Sequence, residues 1–341
     1  MNHTRLAAIA IALVIALVSA TAAFAQEHAA PVRPAGGDLA MVRFEFDNDT
    51  WLGSDDAFTA GWSLQYHSAV KQRTNGRAVR WSAGIGQLMS TPEDLTVTAL
   101  QPEAAPYAGV LGVHGSWASY DNRHLHALQL YAGCMGPCSY AEEVQKFVHE
   151  DMHAGTPPQG WDNQLDQQWL GNVNYAWRYK LIAAPENRYW SRRWAHDLSA
   201  GGQVAAGNAF RFMEGQVEYR VGWGLPGGFT HIPDPAPRGV IVDPVYLPAR
   251  ASTSASLWRG YASVVLRAAA IDKNRVVEGG RTANGGHHPG LDVNDPPEIV
   301  AGLHVARGAY AAHLNYYRLL GDSEDYGGRM DWINVSVERR F

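Results

Sequence analysis

The chain of 341 residues is short of several things, and each shortage excludes something. Beyond residue 18 no stretch approaches the roughly 18 consecutive apolar residues of a membrane-crossing helix, so helical spans are excluded. A basic excess is missing: 28 Lys+Arg stand against 33 Asp+Glu, which disfavours a nucleic-acid binder. Only 18% of residues are charged, while Gly is 35 and Trp and Tyr are 12 and 15. An intrinsically disordered chain is poorer in aromatics. There is no G-x-S-x-G elbow, so a serine triad of that type is not indicated. No lysine lies between Lys71 and Lys146. Cys134 and Cys138 are the only cysteines, too few for a metal site by themselves. Their spacing suits either a local disulfide around Gly136-Pro137 or two free thiols.

What is present begins with a leader. Arg5 precedes an apolar run over 6–18, and Ala23-Phe24-Ala25 is a small-x-small cleavage site. Residues 1–25 are therefore expected to be a secretory signal peptide, leaving 26–341 as one exported domain.

Alternation is the main pattern of that domain. Over 58–67 the even positions are Phe58, Ala60, Trp62, Leu64 and Tyr66, and the odd ones Thr59, Gly61, Ser63, Gln65 and His67. Successive strand residues point to opposite faces, so one face is apolar and the other mostly polar. Residues 169–181 repeat this, with Trp169, Val173, Tyr175, Trp177 and Tyr179 against Asn172, Asn174, Arg178 and Lys180. A soluble sandwich also alternates. Runs of about ten residues, however, match a tilted membrane strand, and aromatics at the ends of an apolar face match a lipid interface. The last residues, 333–341, form an alternating strand ending on Phe341, as outer-membrane barrels do. The expectation is an all-β fold, a transmembrane antiparallel β-barrel of about twelve strands with a short helix in an extracellular loop. Strands are expected at 40–48, 58–68, 78–88, 109–119, 124–133, 169–181, 195–205, 213–224, 255–271, 297–306, 309–319 and 331–341. An even count puts both termini in the periplasm of a Gram-negative cell. The Pro/Gly-rich stretch 225–254 then falls on the periplasmic side, where turns are usually short. It either packs under the barrel or signals a slip in the count.

In that topology 49–57, 89–108 and 134–168 are extracellular and bring distant polar residues to one rim. Residues 139–153 read as a helix, with Ser139 and Glu142 as a capping box. Tyr140, Val144, Phe147, Val148 and Met152 would form its apolar stripe, with Gln145 and His149 on the adjacent flank. By itself His149 is a histidine on the side of a surface helix.

Taken together, Asp47-Asn48-Asp49, Asp56-Ala57-Phe58-Thr59-Ala60-Gly61, Pro106-Tyr107-Ala108-Gly109, Gly136-Pro137, Val144-Gln145 with His149, and 160–165 carry a resemblance. The chain resembles the outer-membrane lipid A 3′-O-deacylases, the LpxR-like proteins, over nearly all of the exported part. The resemblance implies a twelve-stranded barrel and calcium-dependent removal of the 3′-linked acyloxyacyl group of lipid A, a component of lipopolysaccharide, in the outer leaflet. It places His149 at the family's catalytic position.

An imidazole titrates near neutrality, so His149 is the candidate general base for an attacking water. Asn48 offers a neutral donor to the oxyanion. Asp49 would orient His149 or bind Ca²⁺, its bland role being a turn cap. Thr59 would point to the same place from the lumen-facing side of its strand. Calcium takes oxygen ligands, which outer-loop carboxylates could supply, though none is assigned. Asp47 stands where the family has Glu, and the missing lysine leaves Arg77, Arg80 or Arg123 to bind a phosphate. Two other functions compete. His149-Glu150-Asp151-Met152-His153 fits H-E-x-x-H, the helix-borne zinc hydrolase pattern. A non-enzymatic pore or scaffold would need the fold alone.

Overall fold

The computed structural model describes residues 40–48, 60–74, 76–151, 153, 155–185, 193–230, 258–291, 297–320 and 331–341. They form twelve long strands: β1 (Met41–Asn48), β2 (Ala60–His67), β3 (Ala78–Ser90), β4 (Ala108–Tyr120), β5 (His124–Met135), β6 (Gln168–Ile182), β7 (Trp194–Gly207), β8 (Phe210–Trp223), β9 (Arg259–Asn274), β10 (Glu298–Arg307), β11 (Tyr310–Leu319) and β12 (Asp331–Arg340). Each pairs antiparallel with its neighbours in sequence, and β1 pairs with β12 from Met41↔Arg340 to Asn48↔Ile333. The sheet is therefore a closed barrel without a free edge. β1 begins and β12 ends at the same mouth, so the described ends of the chain lie together. The opposite mouth carries long connections at 91–107, 136–167 and 275–297, and the terminal mouth carries one, between β8 and β9.

The faces are inverted relative to a soluble protein. On β2, Leu64 is 46% exposed on the outer surface while Ser63, Gln65 and His67 are buried in the lumen. On β6, Trp169, Val173 and Tyr175 are exposed and Asn172, Asn174, Arg178 and Lys180 are buried. Apolar side chains outside and polar ones inside suit a wall surrounded by hydrocarbon, and this arrangement excludes the sandwich alternative. At the terminal end the outer surface bears exposed Trp81, Trp117, Trp194, Trp223, Trp258 and Tyr310, a ring of amphipathic side chains.

The lumen is filled. Arg43 pairs with Glu338, Arg267 with Glu298, and Asp197 with both Lys180 and Arg220. Buried charges persist only when paired in this way. At the terminal mouth the chain after β8 turns at Gly224 (φ 67°) and folds inward. Lys180 donates to the Gly227 carbonyl at 2.7 Å, Arg220 to Gly228 at 2.7 Å and Arg178 to Thr230 at 2.8 Å. Phe229 is buried against Val70, Ala118, Tyr120 and Leu125. The long connection therefore enters the barrel, and the strand count does not slip; residues 231–257 lie outside the described residues. At the other mouth Leu165, Val276, Val277 and Leu291 descend from the loops onto inward-facing Val110, Met135, Phe210 and Trp332.

Outside the wall, the Asp121 turn shows local design at the terminal end. Burial works against its carboxylate, yet bonds from the His124 ring and the amides of Arg123 and His124 hold its pKa at about 2. Arg77 pairs with it at 3.0 Å.

Candidate active site

The helix expected near His149 exists, in a shorter form. It runs over Ala141–Lys146 (α1) and continues as a π-turn over Phe147–Asp151. The capping box does not form. Tyr140 occupies the cap in the left-handed region (φ 55°), and Glu142 pairs with Lys146 at 2.6 Å. That bond raises the Lys146 pKa. Ser139 instead bonds the Gly136 carbonyl at 2.7 Å, closing the turn that precedes the helix. The expected apolar stripe is also turned. Tyr140 and Phe147 are exposed, and Ala141 and Gln145 are the buried residues of α1. Met152 lies outside the described residues.

The reason is the surface on which the helix rests. Asn48, Ala60, Met89 and Gly109 are paired across β1 to β4 in one lateral row. Asn48 has the same parity as exposed Phe44, and Gly109 the same as exposed Val113, so the row faces outward. A Cβ on Gly109 would lie 2.2 Å from both the Ala141 Cβ and the Ser139 Oγ. The glycine thus lets α1 touch the outside of the wall. Ala60, Met89, Leu95, Tyr107, Ala141 and Trp161 form one cluster, with Val144 packed on it. Gln87, also outward, donates to the Ser139 carbonyl at 2.6 Å and accepts from Trp62 Nε1 at 2.9 Å. Just upstream, Cys134 and Cys138 are joined in a disulfide, which resolves the alternatives left open by their spacing.

Gln145 and His149 are held from different sides. Gln145 is 2% exposed, and its Oε1 accepts from Trp161 Nε1 at 2.7 Å. His149 Nδ1 lies 2.6 Å from the Thr156 carbonyl oxygen. Facing an acceptor, Nδ1 carries the proton in the neutral ring, which leaves the Nε2 lone pair free. The Gly155 backbone lies under the ring: a Cβ there would be 2.9 Å from Nδ1.

The loops around the site are tied to one another. Asn163 donates to Thr98 at 2.8 Å, and Asn284 donates to Asn163 at 2.9 Å. His288 Nε2 lies 3.0 Å from the Gln101 carbonyl, and Ala283 N donates to Gln164. Segments 91–107, 136–167 and 275–291 therefore act as one cover over the loop mouth.

Other sequence candidates fare differently. Asn48 and His149 are on the loop-bearing half of the barrel. Asp49 and Thr59 lie outside the described residues. Asp47 points into the lumen, where Asn334 donates to it at 3.0 Å. Arg77, Arg80 and Arg123 cannot serve a loop-end phosphate: Arg77 bonds Ser119 and Asp121, Arg80 bonds the Ser68 carbonyl, and Arg123 is in the turn beside them. All three are at the terminal end. The H-E-x-x-H spacing is not realised on a helix face. The π-turn stops at Asp151, and His153 has φ 56°, so the two rings do not share one helical stripe. No local sequence pattern marks Trp161, Thr156 or Gly155, because their partners are distant or are backbone atoms.

The family model described as outer membrane protein LpxR matches residues 9–296. The chain belongs to that family. LpxR from Salmonella typhimurium superposes with a TM-score of 0.69 at 16% identity, over 88% of this chain and 100% of that one. The β domain of the Bordetella autotransporter BrkA gives 0.43 at 12% identity, over 90% and 100%. No curated protein matches the sequence. As a member of the LpxR family this barrel resides in the outer membrane. The even strand count puts both described ends of the chain at one mouth, which in outer-membrane barrels is the periplasmic one. The candidate site so described sits on the lipid-facing side of the wall, where the sequence pointed only to a rim.

Proposed function

We propose that the chain is an outer-membrane esterase that removes the 3′-linked acyloxyacyl group of lipid A, with His149 as the general base. The observation that carries this reading is the His149 imidazole, its Nδ1 held by a backbone carbonyl, at the end of a helix clamped to the lipid-facing row that includes Asn48. From Gly109 to Asn48 is three strand spacings, about 14 Å. From Ala141 over Gly109 to His149 is eight residues, about 12 Å of helix rise. The cluster that packs on α1 also holds Ala60, the strand neighbour of Asn48.

In the reaction His149 Nε2 takes a proton from water as its oxygen attacks the ester carbonyl. The Asn48 amide donates to the developing oxyanion. The intermediate collapses with cleavage of the bond to the sugar oxygen, and the imidazolium returns its proton to that oxygen. The products are a free 3′-hydroxyl and the released acid. Gln145 and Trp161 hold the helix at the correct height, and lateral entry from the leaflet spares the acyl chains any contact with water.

Calcium belongs to this proposal, and when bound it would add positive charge near the oxyanion. Among the described residues no three His, Cys, Asp or Glu side chains converge on a metal position, so no step is assigned to the ion. Asp49 as orienting or ligating carboxylate and Thr59 as a further donor remain part of the proposal. The pore reading has little to support it, since loop and strap residues fill both mouths.

The deciding experiment is mass spectrometry of lipid A from cells with and without the protein. The expected result is loss of one 3′-acyloxyacyl unit, absent with His149→Ala. Unchanged lipid A with phospholipid breakdown would replace this proposal with a phospholipase.

A further inference from the structure

The three arginines that the sequence offered for a phosphate lie at the periplasmic end, and the structure supplies a different cation. On β11 the outward side chains are Leu314, Tyr316 and Arg318, alternating with buried Asn315 and Tyr317. Arg318 ends this lipid-facing stripe on the extracellular side. It is exposed, and among the described residues no ion pair or hydrogen bond holds its guanidinium. The other described lysines and arginines of that end are engaged: Lys146 with Glu142, Arg211 with Asp272, Lys273 with Glu278, Arg275 with Gln168 and Arg281 with Asp166. Asp331 is the cross-strand neighbour of Arg318, but its side chain is buried and has contacts of its own.

The register brings this cation to the site. Tyr316 pairs with Ile333, and Ile333 pairs with Asn48. Arg318 is therefore two strands across from Asn48 and two residues nearer the loops, about 12 Å between backbones. It is on the flank of Asn48 opposite α1. A lipid whose ester lies between Asn48 and His149 would have its headgroup toward the loops, at the level of Arg318. A guanidinium presents a planar fork of donors matched to phosphate oxygens, and it keeps its charge at any physiological pH.

We propose that Arg318 binds a phosphate monoester on the headgroup of the lipid substrate and so sets the specificity of the site for phosphorylated lipid. This rests on the deacylase reading.

The test uses the full-length barrel in detergent micelles, with lipid A bearing its phosphates and the same lipid after phosphatase treatment. Arg318→Ala is expected to raise KM for the phosphorylated lipid about tenfold with kcat unchanged, the effect of losing one partly exposed charge-assisted contact. It should leave the dephosphorylated lipid unaffected, and Arg318→Lys should restore most of the loss. Arg211→Ala, which removes an exposed cation from the same end, should change neither. Equal loss on both lipids, or an equal effect of Arg211→Ala, overturns the proposal. Native mass spectrometry of lipid retention by His149→Ala reads binding without turnover. Selective retention of phosphorylated lipid that disappears in the His149→Ala/Arg318→Ala double variant upholds the anion site even if acyl release is never seen. Competition by millimolar inorganic phosphate alone, with no preference between the lipids, would mark a free-anion site and overturn the lipid assignment.

Discussion

His149 Nδ1 and the backbone oxygen of Thr156 are 2.6 Å apart, and that contact decides which ring nitrogen is available. Gly155 lies against the same ring, and its missing side chain leaves room for it. Gly155→Ala is expected to tilt the imidazole and lower kcat by about 10-fold to 100-fold with little change in KM. His149→Ala should cost about 10²-fold to 10⁴-fold. Steady-state acyl release measures both, with heat-modifiable gel mobility as the check that the barrel has formed. Full activity in Gly155→Ala would show that the ring needs no such support.

Gly109 is the contact point between α1 and the wall. Gly109→Val puts atoms where Ala141 and Ser139 now lie, so the helix must lift. The barrel strands continue to pair, because the change faces outward. The expected outcome is a folded barrel with deacylation reduced more than 10²-fold, and with enhanced protease cleavage near 139–151. An active Gly109→Val protein would mean that α1 is not needed in its observed place.

Asp197 balances two buried cations, Lys180 at 2.9 Å and Arg220. Asp197→Asn leaves their charges uncompensated and should destabilise the barrel by about 3–5 kcal/mol. Urea unfolding in micelles reads this as a lower midpoint. The strap at 226–230 hangs from the same cations, so its proteolytic sensitivity should rise in parallel.

His288 makes the loop cover sensitive to pH. Gly290 N–H donates to Nδ1 at 3.0 Å, so the proton is on Nε2, which donates to the Gln101 carbonyl. Burial lowers its pKa, outweighing the hydrogen bond to Gln101. A histidine with a depressed folded pKa favours the neutral form. Its contribution is present above about pH 6.5 and is lost as pH falls toward the folded value. Protection factors at 275–291, taken relative to the intrinsic exchange rate at each pH, should therefore fall between pH 7.5 and 5.5, and His288→Gln should flatten that dependence. Identical protection factors at both pH values would refute the link.

A filled lumen predicts electrical silence. Purified protein in planar bilayers should show no steady single-channel conductance, and a reproducible open level would restore the pore reading.

The wall is legible in the chain alone. Polar and apolar side chains alternate with period two at 58–67 and 169–181, and only a hydrocarbon surround makes the apolar face the outer one. Strand number, chain direction and the half of the barrel holding His149 and Asn48 followed from that periodicity, because local alternation is the quantity that strand geometry depends on. The tertiary structure decided the rest. Ser139 reads as a helix cap, but the contact of Ala141 with Gly109 shifts the helix start and turns its buried side toward the wall. Asn48 faces outward by the alternation of β1 itself, but its row with Ala60, Met89 and Gly109 comes from the register of β1 to β4, which no local pattern encodes. The pairing of His149 with a carbonyl seven residues on, and the placement of Arg318 across two strands from Asn48, arise only when the barrel closes and its loops are tied together. Periodicity is carried by neighbours in the chain, whereas a site is assembled from residues that closure brings together.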